Sequence, residues 1–174
     1  MVRLLLIYAV LKVCFLSYVG LIDPKGDFHS PFLEKYSLIK LILDGLIYPV
    51  VFLLQLLGYE TRQGYNMVGI LNANGVIIEF PCLGVEIMIA LVALIWGYPG
   101  GQKKILYTFI GILGVHVINI LRILAIILTN HQNMDLMDIS HDLYNFISYG
   151  FVLLIFYIWL QYNEKRPKNV NVKT

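Results

Sequence analysis

The sequence predicts an all-α integral membrane protein: a bundle of about five transmembrane helices, with a short extracytoplasmic β-hairpin ahead of the third. Three observations carry that prediction. Of the 174 residues, 59% are hydrophobic and the mean hydropathy is +0.74, whereas soluble domains hold about 45–50% apolar residues. Apolar runs near 20 residues recur along the chain, the length that crosses a hydrocarbon core about 30 Å thick. Ionisable residues are sparse inside those runs and gather between them. No repeat, low-complexity tract or soluble domain interrupts the pattern, so a single membrane domain is expected over residues 1–174.

The first span is expected at about 3–22, interrupted by Lys12. No small-residue cleavage site follows it, so it reads as retained rather than as a signal peptide. A polar loop with Pro24, Gly26 and Pro31 leads to a second span at about 38–57, which carries Lys40, Asp44 and Pro49. If spans one and two are antiparallel, Lys12 and Asp44 come within side-chain reach of one another. Pairing them would neutralise two charges that are costly inside the membrane.

Gly58–Pro81 separates the second and third spans. Within it, Asn74-Gly75 stands between β-branched residues, a strong hairpin signal because both positions tolerate positive φ. Gly69–Phe80 is therefore expected to be extended, outside the hydrocarbon and turning at Asn74-Gly75. The third span is placed at about 82–98, closed by Pro99-Gly100-Gly101, the fourth at about 105–129 and the fifth at about 142–162. Counting Lys and Arg near the span ends puts nine on the face holding Lys25, Lys103 and Lys165, against Arg3 and Arg62 on the other. By the positive-inside rule the C-terminus is cytoplasmic. Five alternating spans then put the N-terminus outside.

Under this topology several polar groups reach one depth. Cys82 opens the third span at the outer face, with Glu86 one turn deeper on the same side. Arg122 lies well inside the fourth span, where a charge costs about 2.5–3.5 kcal/mol on insertion scales and so points to function. His141 stands at the entry of the fifth span and Asn119 one turn before Arg122. His131 competes with His141 for the outer face, His116 is too deep, and His29 falls on the cytoplasmic loop. Each residue also has a purely structural use: Arg122 neutralised by Glu86, or Asn119 and Glu86 tying helices together by hydrogen bonds.

The run Phe80-Pro81-Cys82-Leu83-Gly84, then Asn119-Ile120-Leu121-Arg122-Ile123, then His141-Asp142, resembles the exosortase/archaeosortase family over roughly Gly69 to Tyr162. The resemblance implies a multi-span cysteine transpeptidase acting on proteins with a C-terminal sorting signal: a short motif, one transmembrane helix and a basic cluster. Its nucleophile corresponds to Cys82, its Asn-x-x-Arg to Asn119 and Arg122, and its histidine to His141. The family often has Ser where this chain has Leu83, and the chain is as short as its compact members.

An ordinary thiol is only a few per cent ionised near neutrality, so such a nucleophile needs a cation or a base beside it. His141 is the expected base, and Arg122 the expected partner of the oxyanion. No cofactor and no metal is expected, because the histidines are not spaced as ligand pairs and no phosphate-binding glycine loop is present. The expected partners are membrane-anchored proteins with sorting signals and the lipid bilayer, with no nucleic acid. The expected place is the cytoplasmic membrane with the site facing outward. The rival is a small membrane transporter or assembly subunit whose path is lined by Arg122, Glu86, Lys12 and Asp44.

Overall fold

The computed structural model describes residues 2–22, 32, 37–73, 75–132 and 137–164, with backbone alone at 81, 132 and 137–145. Among the described residues five helices make up the bundle: α1 (Val2–Ile22), α2 (Leu38–Leu56), α3 (Val85–Gly97), α4 (Lys104–Gln132) and α5 (Met137–Glu164). Between α2 and α3 lie strands β1 (Thr61–Gln63), β2 (Met67–Ile70) and β3 (Val76–Ile77), followed by a single 3-10 turn at Phe80–Leu83.

Four of the helices, α1, α2, α4 and α5, contain segments long and apolar enough to cross a membrane. The third differs from expectation. It starts at Val85, not Cys82, and its 13 residues span about 20 Å at 1.5 Å per residue, short of a bilayer core. Gly84, left-handed at φ 72°, separates it from the preceding turn. Among non-glycine residues that conformation is uncommon, so the break between turn and helix is set by this glycine.

The interior is built on two apolar layers. In one, Leu43, Leu46, Val50 and Leu54 of α2 pack with Val68 and Ile78 of the sheet region and with Ile123 and Ile127 of α4. In the other, Ile87, Leu91 and Ile95 of α3 pack with Val115 of α4 and with Val152 and Trp159 of α5. Trp159 also donates its indole N–H to the Gln102 carbonyl at 2.9 Å, fixing the end of α5 to the loop between α3 and α4. Ser37 caps α2, its hydroxyl accepting from the Lys40 N–H at 3.4 Å.

The predicted hairpin is one strand short of what forms. The sheet is three-stranded and antiparallel in the order β1-β2-β3, with Val68 opposite Val76 and Arg62 opposite Gly69. The register centres the connection between β2 and β3 on Asn72, which is left-handed at φ 63°. Arg62 donates to the Ala73 carbonyl at 3.1 Å and holds this wider turn. Asn74 itself lies outside the described residues.

The expected direction of α1 is overturned. Leu4 packs so closely on Gly97 that a β-carbon there could not be accommodated, and Lys12 pairs with Glu86 at 3.1 Å. Helix α1 is therefore antiparallel to α3. Its first turns lie at the end of the bundle that holds Gln102 and Trp159, so both ends of the chain's helical part share one end. The alternation rule fails because α2 runs in the same sense as α1 and α4: Gly45 lies against His116 and Tyr59 against His131. This packing differs from the alternation on which the N-outside, C-inside expectation was built.

The same reversal removes the Lys12–Asp44 pair. Asp44 instead binds Lys40, one turn earlier on its own helix, at 3.0 Å. We predict that Lys12→Glu or Glu86→Lys alone lowers the thermal stability of the protein in lipid nanodiscs, because two like charges then face each other at membrane depth. The double reversal restores stability; equal stability of all three variants argues against the pair.

Candidate active site

The segment carrying Cys82 is shaped locally before it is packed. Glu79 is extended, Pro81 sits in the first positions of the 3-10 turn, and the Cys82 N–H donates to the Glu79 carbonyl at 2.9 Å. The strand behind it is pinned by the Ile78 N–H on the Asn66 carbonyl, 2.7 Å. Leu83 is buried against the core, so the turn is anchored on one side. Cys82 itself is half-buried and is a free thiol.

Arg122 reaches it from α4. Its Nη2–H points at Cys82 Sγ at 3.8 Å, across 40 positions of sequence. The arginine is only 3% exposed, and among the described residues no carboxylate pairs with it. That is unusual: a buried cation needs a counter-charge or a full set of acceptors. Among the described residues the Cys82 thiol is the acceptor it has.

Asn119 lies one turn earlier on the same helix and is fully buried. Among the described residues neither its carboxamide oxygen nor its nitrogen has a hydrogen-bond partner. The nitrogen faces Gly84 so closely that any side chain at 84 would collide with it. Glu86, expected beside this group, turns away to Lys12 and remains half exposed. The structural use foreseen for it, neutralising Arg122, therefore does not occur. Lys12 pairs with Glu86 and Lys40 with Asp44, so these four charges do not stand isolated.

Of the histidines, His116 contacts the Gly45 carbonyl at 3.1 Å, about 9 Å below Arg122 along α4. His131 stands edge-on to Tyr59, ring centroids 5.6 Å apart, about 13 Å beyond Arg122 along the helix. His29 lies outside the described residues. His141 falls on α5, where only the backbone is described. Its level follows from the packing of α5 on α4, where Phe151 covers Gly114. Position 141 is about 15 Å back along α5 from that contact, and Arg122 about 12 Å forward along α4. The two are nearly level.

Sequence reasoning missed the part played by Gly84 and the unpartnered amide of Asn119. The glycine was visible as the residue two after the cysteine. The amide was not, because its lack of partners depends on every neighbour around it. Among the described residues no group of His, Cys, Asp and Glu side chains is placed to hold a metal ion.

The architecture is that of a multi-helix membrane protein, and it sets a thiol against a buried guanidinium. Residues 30–158, most of the chain, match the family model described as transmembrane exosortase. The chain belongs to the exosortase family, whose members are membrane proteins implicated in processing proteins with C-terminal sorting signals by a cysteine-dependent mechanism. No curated protein and no solved structure shows significant similarity to it.

Proposed function

We propose that the chain is a cysteine peptidase or transpeptidase in which Cys82 is the nucleophile, Arg122 the fixed cation and His141 the general base and acid. The observation that carries this reading is the 3.8 Å approach of the Arg122 guanidinium to Cys82 Sγ inside the bundle. Among the described residues no carboxylate competes for the guanidinium, which leaves it facing the reacting sulfur.

The thiol proton passes to His141, and Sγ attacks the scissile carbonyl carbon. As the S–C bond forms, the π pair moves onto oxygen, where Arg122 can donate a charge-assisted hydrogen bond. Collapse of this intermediate breaks the C–N bond; the leaving amine takes the proton held by His141. The product is a thioester on Cys82. An amine, a hydroxyl or water then attacks the thioester carbon, releases the sulfur and gives up a proton to the base. The substrate is a membrane-anchored protein cut beside its C-terminal span, on the outer face of the membrane. The position of residue 141, level with Arg122, supports the assignment of the base.

The test is a co-expressed reporter ending in a sorting motif, one apolar span and a basic cluster. In a Cys14→Ser background Cys82 is the sole thiol, and maleimide treatment is expected to stop processing. Mass spectrometry of the new C-terminus separates hydrolysis from transfer. His141→Ala is expected to lower processing about 100- to 10,000-fold, the range of a lost general base, with protein level preserved. His131→Ala leaves the rate within a factor of two. Dependence on His131 instead of His141 reassigns the base; indifference to both removes it from the mechanism.

A further inference from the structure

We infer that the carboxamide of Asn119 and the open N-terminus of α3 form one donor site for the scissile carbonyl oxygen, separate from the Arg122 guanidinium. The inference rests on the reading of Cys82 as nucleophile and adds further donors for the oxygen that Arg122 meets in that reading.

Two independent observations meet at this point. The first is the start of α3. An α-helix leaves its first N–H groups without intrahelical partners, here those of Val85, Glu86 and Ile87. Gly84 is the N-cap, and no side chain caps the helix. Most helices satisfy these donors with a Ser, Thr, Asp or Asn at that position; this one cannot, because a β-carbon on residue 84 would meet the Asn119 amide. The carboxylate of Glu86 in the first turn does not fold back on them, being held away by Lys12 at 3.1 Å.

The second is Asn119 itself, 0% exposed, with both polar atoms unpartnered and its nitrogen directed at Gly84. A buried amide without partners is destabilising, and an apolar side chain of the same shape would fill the position better. Its position against Gly84, two residues after Cys82, gives the reason for keeping it. Uncapped helix N–H groups and an orphan amide N–H are hydrogen-bond donors of the kind that stabilise an oxygen gaining negative charge.

The amide is covered by the Gly84 turn. A carbonyl oxygen therefore reaches it when that turn yields, and a residue at φ 72° without a β-carbon is the one that can yield at small cost. As the S–C bond forms the π pair settles on this oxygen between Asn119 Nδ2–H and the α3 N–H groups. As the C–N bond breaks the pair returns to the carbonyl. No other reactant is required.

Asn119→Leu is the test, because it keeps the branched shape and removes both polar atoms. Processing of the reporter is expected to fall about 100- to 1,000-fold, the effect of losing one oxyanion donor. The thermal midpoint in nanodiscs stays level or rises, and the rate at which maleimide labels Cys82 at neutral pH stays within a factor of two. A packing role predicts otherwise: processing, stability and labelling then fall together. Wild-type processing by Asn119→Leu, or a loss that follows reduced labelling of Cys82, overturns the inference. Full processing by Cys82→Ala is a different result, which removes the proposed function first.

Discussion

Cys82→Ala is expected to abolish processing of the reporter while the protein accumulates in the membrane at its normal level. The two halves of that expectation rest on different parts of the structure. The turn at Phe80–Leu83 is held by backbone, through the Cys82 N–H on the Glu79 carbonyl, and by the buried side chain of Leu83. Neither depends on the sulfur. A half-buried thiol replaced by a methyl group loses little packing, less than the roughly 2–5 kcal/mol of a Leu→Ala change in a core. The chemistry, by contrast, has no second nucleophile: Cys14, the other thiol, is exposed on α1. Removing the nucleophile of a hydrolase costs on the order of 10⁶ in turnover, below detection in a membrane assay. Cys82→Ser keeps a hydroxyl of similar size and is expected to fail almost as completely, since a far less acidic hydroxyl gains too little from a cation that is suited to a thiolate. Processing by Cys82→Ala at the wild-type rate removes the enzyme reading altogether.

The spans were legible because length and apolarity alone decide them. Val2–Ile22 and Leu38–Leu56 fall within a residue of their expected limits. The third helix was not, because Gly84 splits the apolar run at 82–98 by backbone conformation and not by polarity. Likewise the sheet: Thr61–Gln63 is three residues long and polar, too short to show an alternating pattern, and it exists only because β2 offers it a partner. Charge pairing depended on helix direction. Lys12 has two acidic candidates at similar depth, Asp44 and Glu86, and only the antiparallel packing of α1 on α3 chooses between them. The Lys40–Asp44 pair, by contrast, was open to reading at i,i+4 spacing within one helix.

For the site, depth arithmetic put Cys82 and Arg122 at one level, and they lie within 3.8 Å. That works because helical rise is regular and a buried arginine must find something to bind. Satisfaction of Asn119 is different in kind. Whether a carboxamide has partners is a property of the folded surroundings, and no spacing in the sequence encodes it.

The second large effect is expected at Arg122. Its guanidinium is 3% exposed and points at Sγ with one of its N–H groups. Buried without a carboxylate among the described residues, it is a stability cost: an arginine at membrane depth costs about 2.5–3.5 kcal/mol on insertion scales. Replacing such a charge by an apolar side chain of similar length is often neutral or stabilising. Arg122→Met is therefore expected to raise the thermal midpoint in nanodiscs, or leave it unchanged, while processing falls at least 1,000-fold, about 4 kcal/mol in transition-state terms. Arg122→Lys keeps the charge on a shorter, non-planar donor and is expected to lose about 100-fold. Labelling of Cys82 by maleimide at neutral pH separates two uses of the cation. If it favours the ionised sulfur, Arg122→Met slows labelling and Arg122→Lys slows it less. If it acts on the oxyanion alone, labelling is unaffected by either. Both outcomes keep Arg122 in the reaction, whereas wild-type processing by Arg122→Met, with its midpoint lowered, would return the residue to a structural role and leave the 3.8 Å contact with Cys82 without a catalytic meaning.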